Sequence, residues 1–412
     1  MMQNQSNKKN IAILFITLVI IMMGFGMIIP VIPFLVTEFG ASGQELGLLM
    51  AIYALMQLIF SPMWGELSDR YGRRPIILLG LIGNGLSMLL MGLASELWML
   101  FAARVLSGLL ASATLPTAYA YVSDSTSEED RGGGMGIMGA AMGVGMVIGP
   151  GFSGLLAEYS LSLPFFVGAI LSLGAITVVY FFLPESLGLE NRKQTTDINL
   201  RHQFNEMWQG LVGPLGFLLL LAFLISFGLT NFEGIFGLYM ALRFDYSAGD
   251  VGLILTLIGL ISALAQGFLT GFITKKWGEV ALIKFSMLGS SVGFLLMLTA
   301  RDLPSILLTV SFFIFSNAMI RPGVSSLISK RATIGQGIAM GLNNSFMSLG
   351  RVVGPLLAGT LIDINLNLPY ISGSLITMVG FILCLFLLKP AASNTTDPKE
   401  VSELPTVPTS LD

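Results

Sequence analysis

The chain has 412 residues, of which 54% are hydrophobic and only 11% charged, with a formal net charge of −3. Soluble domains carry about 25% charged residues, so this composition reads as an integral membrane protein and excludes the basic footprint of a nucleic-acid binder. One cysteine (Cys384) excludes an internal disulfide, and one histidine (His202) excludes histidine-rich metal sites and any Ser-His or Cys-His centre not built on His202. No metal or other cofactor is expected.

The opening MMQNQSNKKN is followed by apolar residues as far as Val36. That run exceeds the roughly 7–15 residues of a secretory signal core and no small-residue cleavage site follows, so it reads as a retained first span. A spanning helix needs about 20 largely apolar residues. Twelve stretches qualify, at roughly 11–36, 46–64, 76–95, 98–122, 132–157, 163–183, 213–240, 250–273, 280–300, 303–328, 337–362 and 369–388. With the N-terminus inside, fifteen Lys and Arg fall in inner segments and two (Arg243, Arg301) in outer loops. This asymmetry predicts both termini in the cytoplasm. The longest loop, 184–212, holds LRHQFNEMWQGL, with Leu200, Phe204, Trp208 and Leu211 at helical spacing. It predicts a short helix lying on the inner membrane face, with His202 on its polar side. The Pro-, Ser- and Thr-rich tail, 389–412, reads as disordered.

The sequence repeats itself. At an offset of 205, Gly145, Gly149, Pro150, Gly154 and Glu158 meet Gly350, Gly354, Pro355, Gly359 and Asp363; at 206, Gly65 and Gly72 meet Gly271 and Gly278. The chain therefore divides into a six-span half at 1–183, an inter-half loop at 184–212, a second six-span half at 213–388, and the tail. Parallel repeats of this kind place a substrate site between the halves near the membrane midplane.

The stretch GELSDRYGRRP, between spans two and three, concentrates charge in an apolar chain. Gly65, Leu67, Asp69, Arg70, Gly72, Arg73 and Arg74 match the loop motif G-x-L-x-D-R-x-G-R-[KR] of the major facilitator superfamily, which the chain resembles. The arginines hold the loop in the cytoplasm, and Asp69 is placed to accept bonds from a helix N-terminus or an arginine of the opposite half, locking one conformation. The second copy is degraded, with Lys275 in the place of Asp69. Span five, GAAMGVGMVIGPGFSGLLA, is similar to the antiporter signature of proton-driven exporters at Gly145, Gly149, Pro150 and Gly154. Its small residues allow backbone-to-backbone packing and its proline bends the span. Pro30 and Pro33 in span one match the exporters' P-x-x-P, and Arg104 with Gly108 matches an R-x-x-x-G element of span four.

A charge at the centre of a membrane helix costs about 2.5–3.5 kcal/mol on insertion scales, so each needs a reason. Among 24 acids only Glu233, in LTNFEGIFGLYM, sits well inside a span. At about 1.5 Å rise per residue it lies roughly 10 Å below the outer helix end, a depth like that of Arg104 at roughly 9 Å. Arg351 lies deeper, at roughly 16 Å.

In its second half the chain resembles bacterial multidrug pumps of the Bmr and NorA type, through FEGIFGLYM, MIRPGVSSLISK and GLNNSFMSLGRVVGPLLAGTLID. The resemblance implies a twelve-span, all-α exporter in two pseudo-symmetric halves, driven by proton influx, with Glu233 as the proton- and drug-linked acid. Met27, Arg104, Tyr119, Asn231, Phe232, Phe236, Asn317 and Asn343 are expected to line the site with it. Two departures stand out: Ala318 replaces an acid of those pumps, and Arg351 stands where they are neutral. Both make the cavity less negative and point away from permanent cations. The expected partners are small amphipathic drugs, protons and the lipid bilayer, for a monomer in a bacterial cytoplasmic membrane. An exporter of one metabolite, such as a sugar or amino acid, is the alternative; a membrane sensor fits less well, since no domain is appended. No nucleophile, base and metal constellation suggests an enzyme.

Overall fold

A computed structural model describes residues 2–127, 130–194, 200–264, 270–332 and 335–388, and every regular element in them is helical. The first half supplies α1 (Met2–Glu38), α2 (Gly43–Tyr71), α3 (Arg73–Gly92), α4 (Leu97–Leu110), α5 (Thr114–Ser125), α6 (Arg131–Ala157) and α7 (Leu163–Phe182). Then come α8 (Leu200–Val212), α9 (Gly216–Phe244), α10 (Ala248–Leu264), α11 (Thr270–Met297), α12 (Leu303–Arg331), α13 (Gln336–Ile364) and α14 (Leu368–Leu387). Among the described residues, eleven segments are long and apolar enough to cross a membrane, and α10 is a shorter apolar helix. The tail expected to be disordered lies outside the described residues, as does the side chain of His202.

Local chemistry sets several helix ends. Ser42 accepts from the Glu45 amide while the Glu45 carboxylate accepts from Ser42, a capping box that starts α2. Asp302 and Ser305 do the same for α12. Proline enters the first turn of α7 and of α14, where its missing N–H is no loss.

The expected span at 98–122 is one span, Leu97–Ser125, whose helix tightens into a short turn at 111–113 between α4 and α5. Gly80 and Gly83 of α3 explain this. A methyl group on either would fall 2.1 Å from the Thr114 hydroxyl or 2.2 Å from Leu110 Cβ, so the bare glycines let the turn press against α3. The short helix expected in the inter-half loop is α8.

The internal repeat recurs as packing. Gly72 ends α2 at φ 103° and ψ 161°, and Gly278 breaks α11 at φ 78° and ψ 165°. Positive φ of this kind is open to glycine and strained for other residues. An ion pair is repeated as well, with its charges exchanged. Arg73 Nε lies 2.9 Å from Asp124 Oδ2, and at the same offset of 206 Glu279 is bridged by Lys330. Each pair ties the start of one span to the end of the next. Arg73→Glu is expected to destabilise the protein by about 3 kcal/mol, as breaking a buried pair does. Adding Asp124→Lys is expected to recover part of that, because Asp69 is left facing a like charge. Thermal melts in detergent read both.

The bundle is closed at one end and open at the other. At the end opposite the Lys/Arg-rich loops, helices cross between halves almost backbone to backbone. Gly43, Gly47 and Gly359 bring α2 against α13, and Gly154, Gly249 and Gly252 bring α6 against α10. At the basic end, a side chain added at Gly65, Gly132, Gly136, Gly271, Gly337 or Gly341 meets nothing within 4 Å among the described residues. The close backbone contacts between the halves thus gather at the far end, while these glycines at the basic end have open space beside them.

Candidate functional site

Helix α9 is the most enclosed of the spans, and it packs on α13 through small residues. The Thr230 hydroxyl contacts the Gly350 carbonyl at 3.3 Å, and Gly234 lies against Pro355. Few faces of α9 remain open. Leu229, Thr230 and Glu233 form a half-exposed stripe, while Asn231, Phe232 and Gly234 to Met240 are buried. Glu233 is therefore only partly covered, and Arg351, half-buried on the adjoining α13, acts on it electrostatically.

Arg351 also crosses between the halves. Its Nη1 donates to Gln57 Oε1 of α2 at 3.1 Å, and Gln57 contacts the Tyr53 hydroxyl at 3.5 Å. Arg321 of α12 is exposed and acts electrostatically on Arg351 and on Tyr119 of α5, in the first half. The cavity thus gathers Tyr53, Gln57 and Tyr119 from one half and Glu233, Arg321 and Arg351 from the other. Tyr53 and Gln57 were missed by the sequence reading. Their spacing of four residues on an otherwise apolar helix was the available signal.

Several expected cavity residues are elsewhere. Arg104 does not pair with Glu233: it is 2% exposed, lies 5.4 Å from the Tyr53 ring centroid and has Met50 Sδ 2.7 Å from Nη2. It is held inside the first half by a cation–π contact rather than snorkelling to the surface. Asn231 turns toward α14, donating to the Pro369 carbonyl at 3.0 Å. Phe232 and Phe236, with ring centroids 4.7 Å apart, join a cluster with Phe313. Met27, Asn317 and Asn343 are all buried in helix packing. Tyr119 alone of this group is half-open, its hydroxyl 3.3 Å from Met142 Sδ. A half-open cleft of about 530 Å³ lies at the sealed end, among Pro33, Glu38, Glu158 and Leu238, and does not include Glu233.

At the basic end Asp69 binds its own half and the loop after it, not the opposite half. Its carboxylate takes Arg73 Nη1 at 2.5 Å and Lys193 Nζ at 2.7 Å. Among the described residues, no partner of Asp69 comes from the second half. Glu185, unremarked in the sequence, caps α3 by accepting from the Arg73 and Arg74 amides at 2.8 and 3.1 Å. Arg70 lies over the Tyr71 ring. The signature glycines of α6 serve two partners. Gly145 and Gly149 face α1, whereas Gly154 faces Gly249 and Gly252 of α10, beside the Pro150 carbonyl.

At the sealed end Asp363 adds a polar latch. Its two oxygens accept from the Gly43 and Gln44 amides, 2.8 Å each, at the N-terminus of α2 in the other half. Glu158, its repeat counterpart, sits against Gly249 at the start of α10. A carboxylate at a helix N-terminus is stabilised by unpaired amides and the helix dipole.

The chain matches the Major Facilitator Superfamily over residues 14–230 and 218–411. It is 35% identical to Multidrug resistance protein 1 of Bacillus subtilis, over 93% of this chain and 98% of that protein. It is 32% identical to the quinolone resistance protein NorA of Staphylococcus aureus, over 92% and 96%. The human organic anion transporter MFSD10 shares its fold, with a TM-score of 0.70 at 24% identity, over 92% of this chain and 99% of that one. The chain belongs to the Major Facilitator Superfamily and is a multi-pass membrane transporter of small molecules, not an enzyme.

Proposed function

We propose that the protein exports small amphipathic drugs from the cytoplasm in exchange for protons, by alternating access between its two six-span halves. The observation that carries this reading is Glu233, the one acid deep in a span, on the narrow open stripe of α9 in a cavity between the halves. A carboxylate there holds a proton or a substrate in turn, which is what exchange requires. The likeness to drug-resistance proteins along nearly the whole chain supports drugs as the cargo.

The basic end is assigned to the cytoplasm by its Lys and Arg excess, so the form described is the one that loads substrate from inside. To release it outside, the Asp363 latch and the α2–α13 and α6–α10 glycine contacts must part. The basic ends must then close, bringing the Asp69 to Arg74 loop toward the second half. Arg351, bonded to Gln57 across the halves and within the field of Glu233, links the proton site to that movement.

The test is a drug-susceptibility profile of a pump-deficient bacterial host expressing the chain, paired with inverted vesicles given a pH gradient. Resistance to several chemically unrelated compounds, each accumulated in vesicles only when the gradient is imposed, is the expected result. Protection confined to close analogues of one metabolite would replace this reading with that of a selective exporter. Gradient-independent transport would remove the proton.

A further inference from the structure

The cleft of about 530 Å³ at the outer end is walled by α1 and α6 of the first half and by α9 and α10 of the second. Its volume lies within the roughly 300–1,000 Å³ of small-molecule sites. The deep part is apolar. Pro33 and Phe34 stand about 6–8 Å below the end of α1, and Gly237 and Leu238 about 9–11 Å below the end of α9. The acids stand at helix ends instead. Glu38 is the last residue of α1 and Glu158 the first after α6. Both are exposed, and neither has an ion pair among the described residues. No described lysine or arginine lines the cleft. Arg243 of α9 is committed elsewhere, donating to the Leu298 and Ala300 carbonyls at 2.8 and 3.4 Å. An apolar floor beneath two unanswered carboxylates is the complement of a molecule with an apolar body and a cationic end.

We propose that this cleft binds an amphipathic amine from the outer medium, and that its occupant holds the outer end shut. The ammonium meets Glu38 and Glu158, and the apolar body lies against Phe34 and Leu238. This site is separate from Glu233, and its occupant is not the cargo. Charge selects the class: an ammonium donates to carboxylates, a neutral alcohol gains only burial, and an acid meets two like charges. Depth selects the source. The cleft reaches about 11 Å at most, short of the roughly 15 Å of one leaflet's hydrocarbon, so a soluble amine is enclosed where a lipid is not. The lock follows from the walls. A methyl added at Gly237 would fall 2.9 Å from Pro33 Cγ, and one at Gly249 would fall 3.0 Å from Glu158 Oε1. Both contacts join one half to the other, so parting the halves takes the cleft apart. A ligand that binds the closed form alone shifts the population toward it.

Binding is measured by isothermal titration of the full-length chain in dodecyl maltoside. The probes are 1-naphthylmethylammonium, 1-naphthylmethanol and 1-naphthylacetate, which share one ring system. The ammonium is expected to bind about tenfold more tightly than the alcohol, the scale of one charge-assisted hydrogen bond, with the acid weakest. When Glu38→Gln and Glu158→Gln are combined, the ratio of ammonium to alcohol affinity is expected to fall toward one. Both positions are exposed, so the fold tolerates the change. Spin labels at Ser95 and Asn365, exposed at the outer end of opposite halves, are expected to show only their shorter separation at saturating ammonium.

Wild type alone decides the class. An alcohol or acid that binds as tightly as the ammonium overturns it. A preference that survives the double variant, or that Glu233→Gln alone removes, overturns the location. Affinity that disappears in phosphatidylethanolamine nanodiscs overturns the soluble occupant in favour of a lipid headgroup. A longer label separation persisting at saturation overturns the lock. None of these measurements needs transport, so a failure of the export reading shows separately, in the susceptibility profile.

Discussion

Glu233→Gln is expected to bring pH-driven accumulation in inverted vesicles down to background while substrate counterflow persists at a reduced rate. The amide keeps the shape of the carboxyl but cannot take up and release a proton, so the driving ion loses its site while the halves remain free to rock. Folding should survive, because two effects on it oppose each other. Removing a charge from mid-membrane recovers part of its insertion cost, about 2.5–3.5 kcal/mol. Against that, Arg351 loses the one negative charge facing it and is left with Gln57 and the repulsion of Arg321. Pairing Glu233→Gln with Arg351→Gln measures the link: thermal stabilities of the four proteins should be non-additive by about 0.5–3 kcal/mol. Vesicles of Glu233→Gln that still concentrate substrate under a pH gradient would show that the proton binds elsewhere.

The spans, the repeat and the glycine turns were legible because each is a property of chain-local pattern. Apolar length finds a helix, and Gly72 and Gly278 announce themselves by equal spacing in the two halves. Depth was legible too, since rise per residue is fixed. Azimuth was not. Asn231, Phe232 and Glu233 are consecutive and share a depth, yet only Glu233 is open to the cavity, because α9 is covered by neighbours on nearly every other face. The pairing of Arg351 with Gln57 joins residues 294 positions apart on different halves, and no local rule reaches that far. Arg104 illustrates the same limit: equal depth with Glu233 suggested a pair, while the structure turns it to Tyr53. The exchanged ion pair was hidden for another reason. Aligning the halves by residue identity makes Arg73 and Glu279 a mismatch, whereas comparing the product of the paired charges makes them equivalent.

Gly359→Ala is expected to stop transport by unsealing the closed end. Its added methyl would fall 2.3 Å from the Gly43 carbonyl oxygen and 2.9 Å from Gly47 Cα, backbone atoms that cannot rotate away. Helix α13 must therefore withdraw from α2, and the withdrawal breaks the two 2.8 Å bonds from the Gly43 and Gln44 amides to Asp363. Hydrogen bonds to a charged acceptor contribute about 1.5–3 kcal/mol each, so the sealed form loses about 3 kcal/mol or more. That corresponds to a shift on the order of 100-fold in population. Spin labels at Ser160 and Asn365, exposed at the sealed end of each half, should report a longer separation, and drug export should fall in step. Gly47→Ala tests the same contact from the other side, since its methyl would lie 2.3 Å from the Pro355 carbonyl oxygen. The repeat counterpart, Gly154→Ala, should do less, because its nearest atoms across the α6–α10 contact are 3.1 Å away. Gly136→Ala and Gly143→Ala, which meet nothing within 4 Å, should behave as wild type. If Gly154→Ala proved as damaging as Gly359→Ala, clearance at the glycine would not be what sets the seal, and the latch at Asp363 would lose its part in the transport cycle.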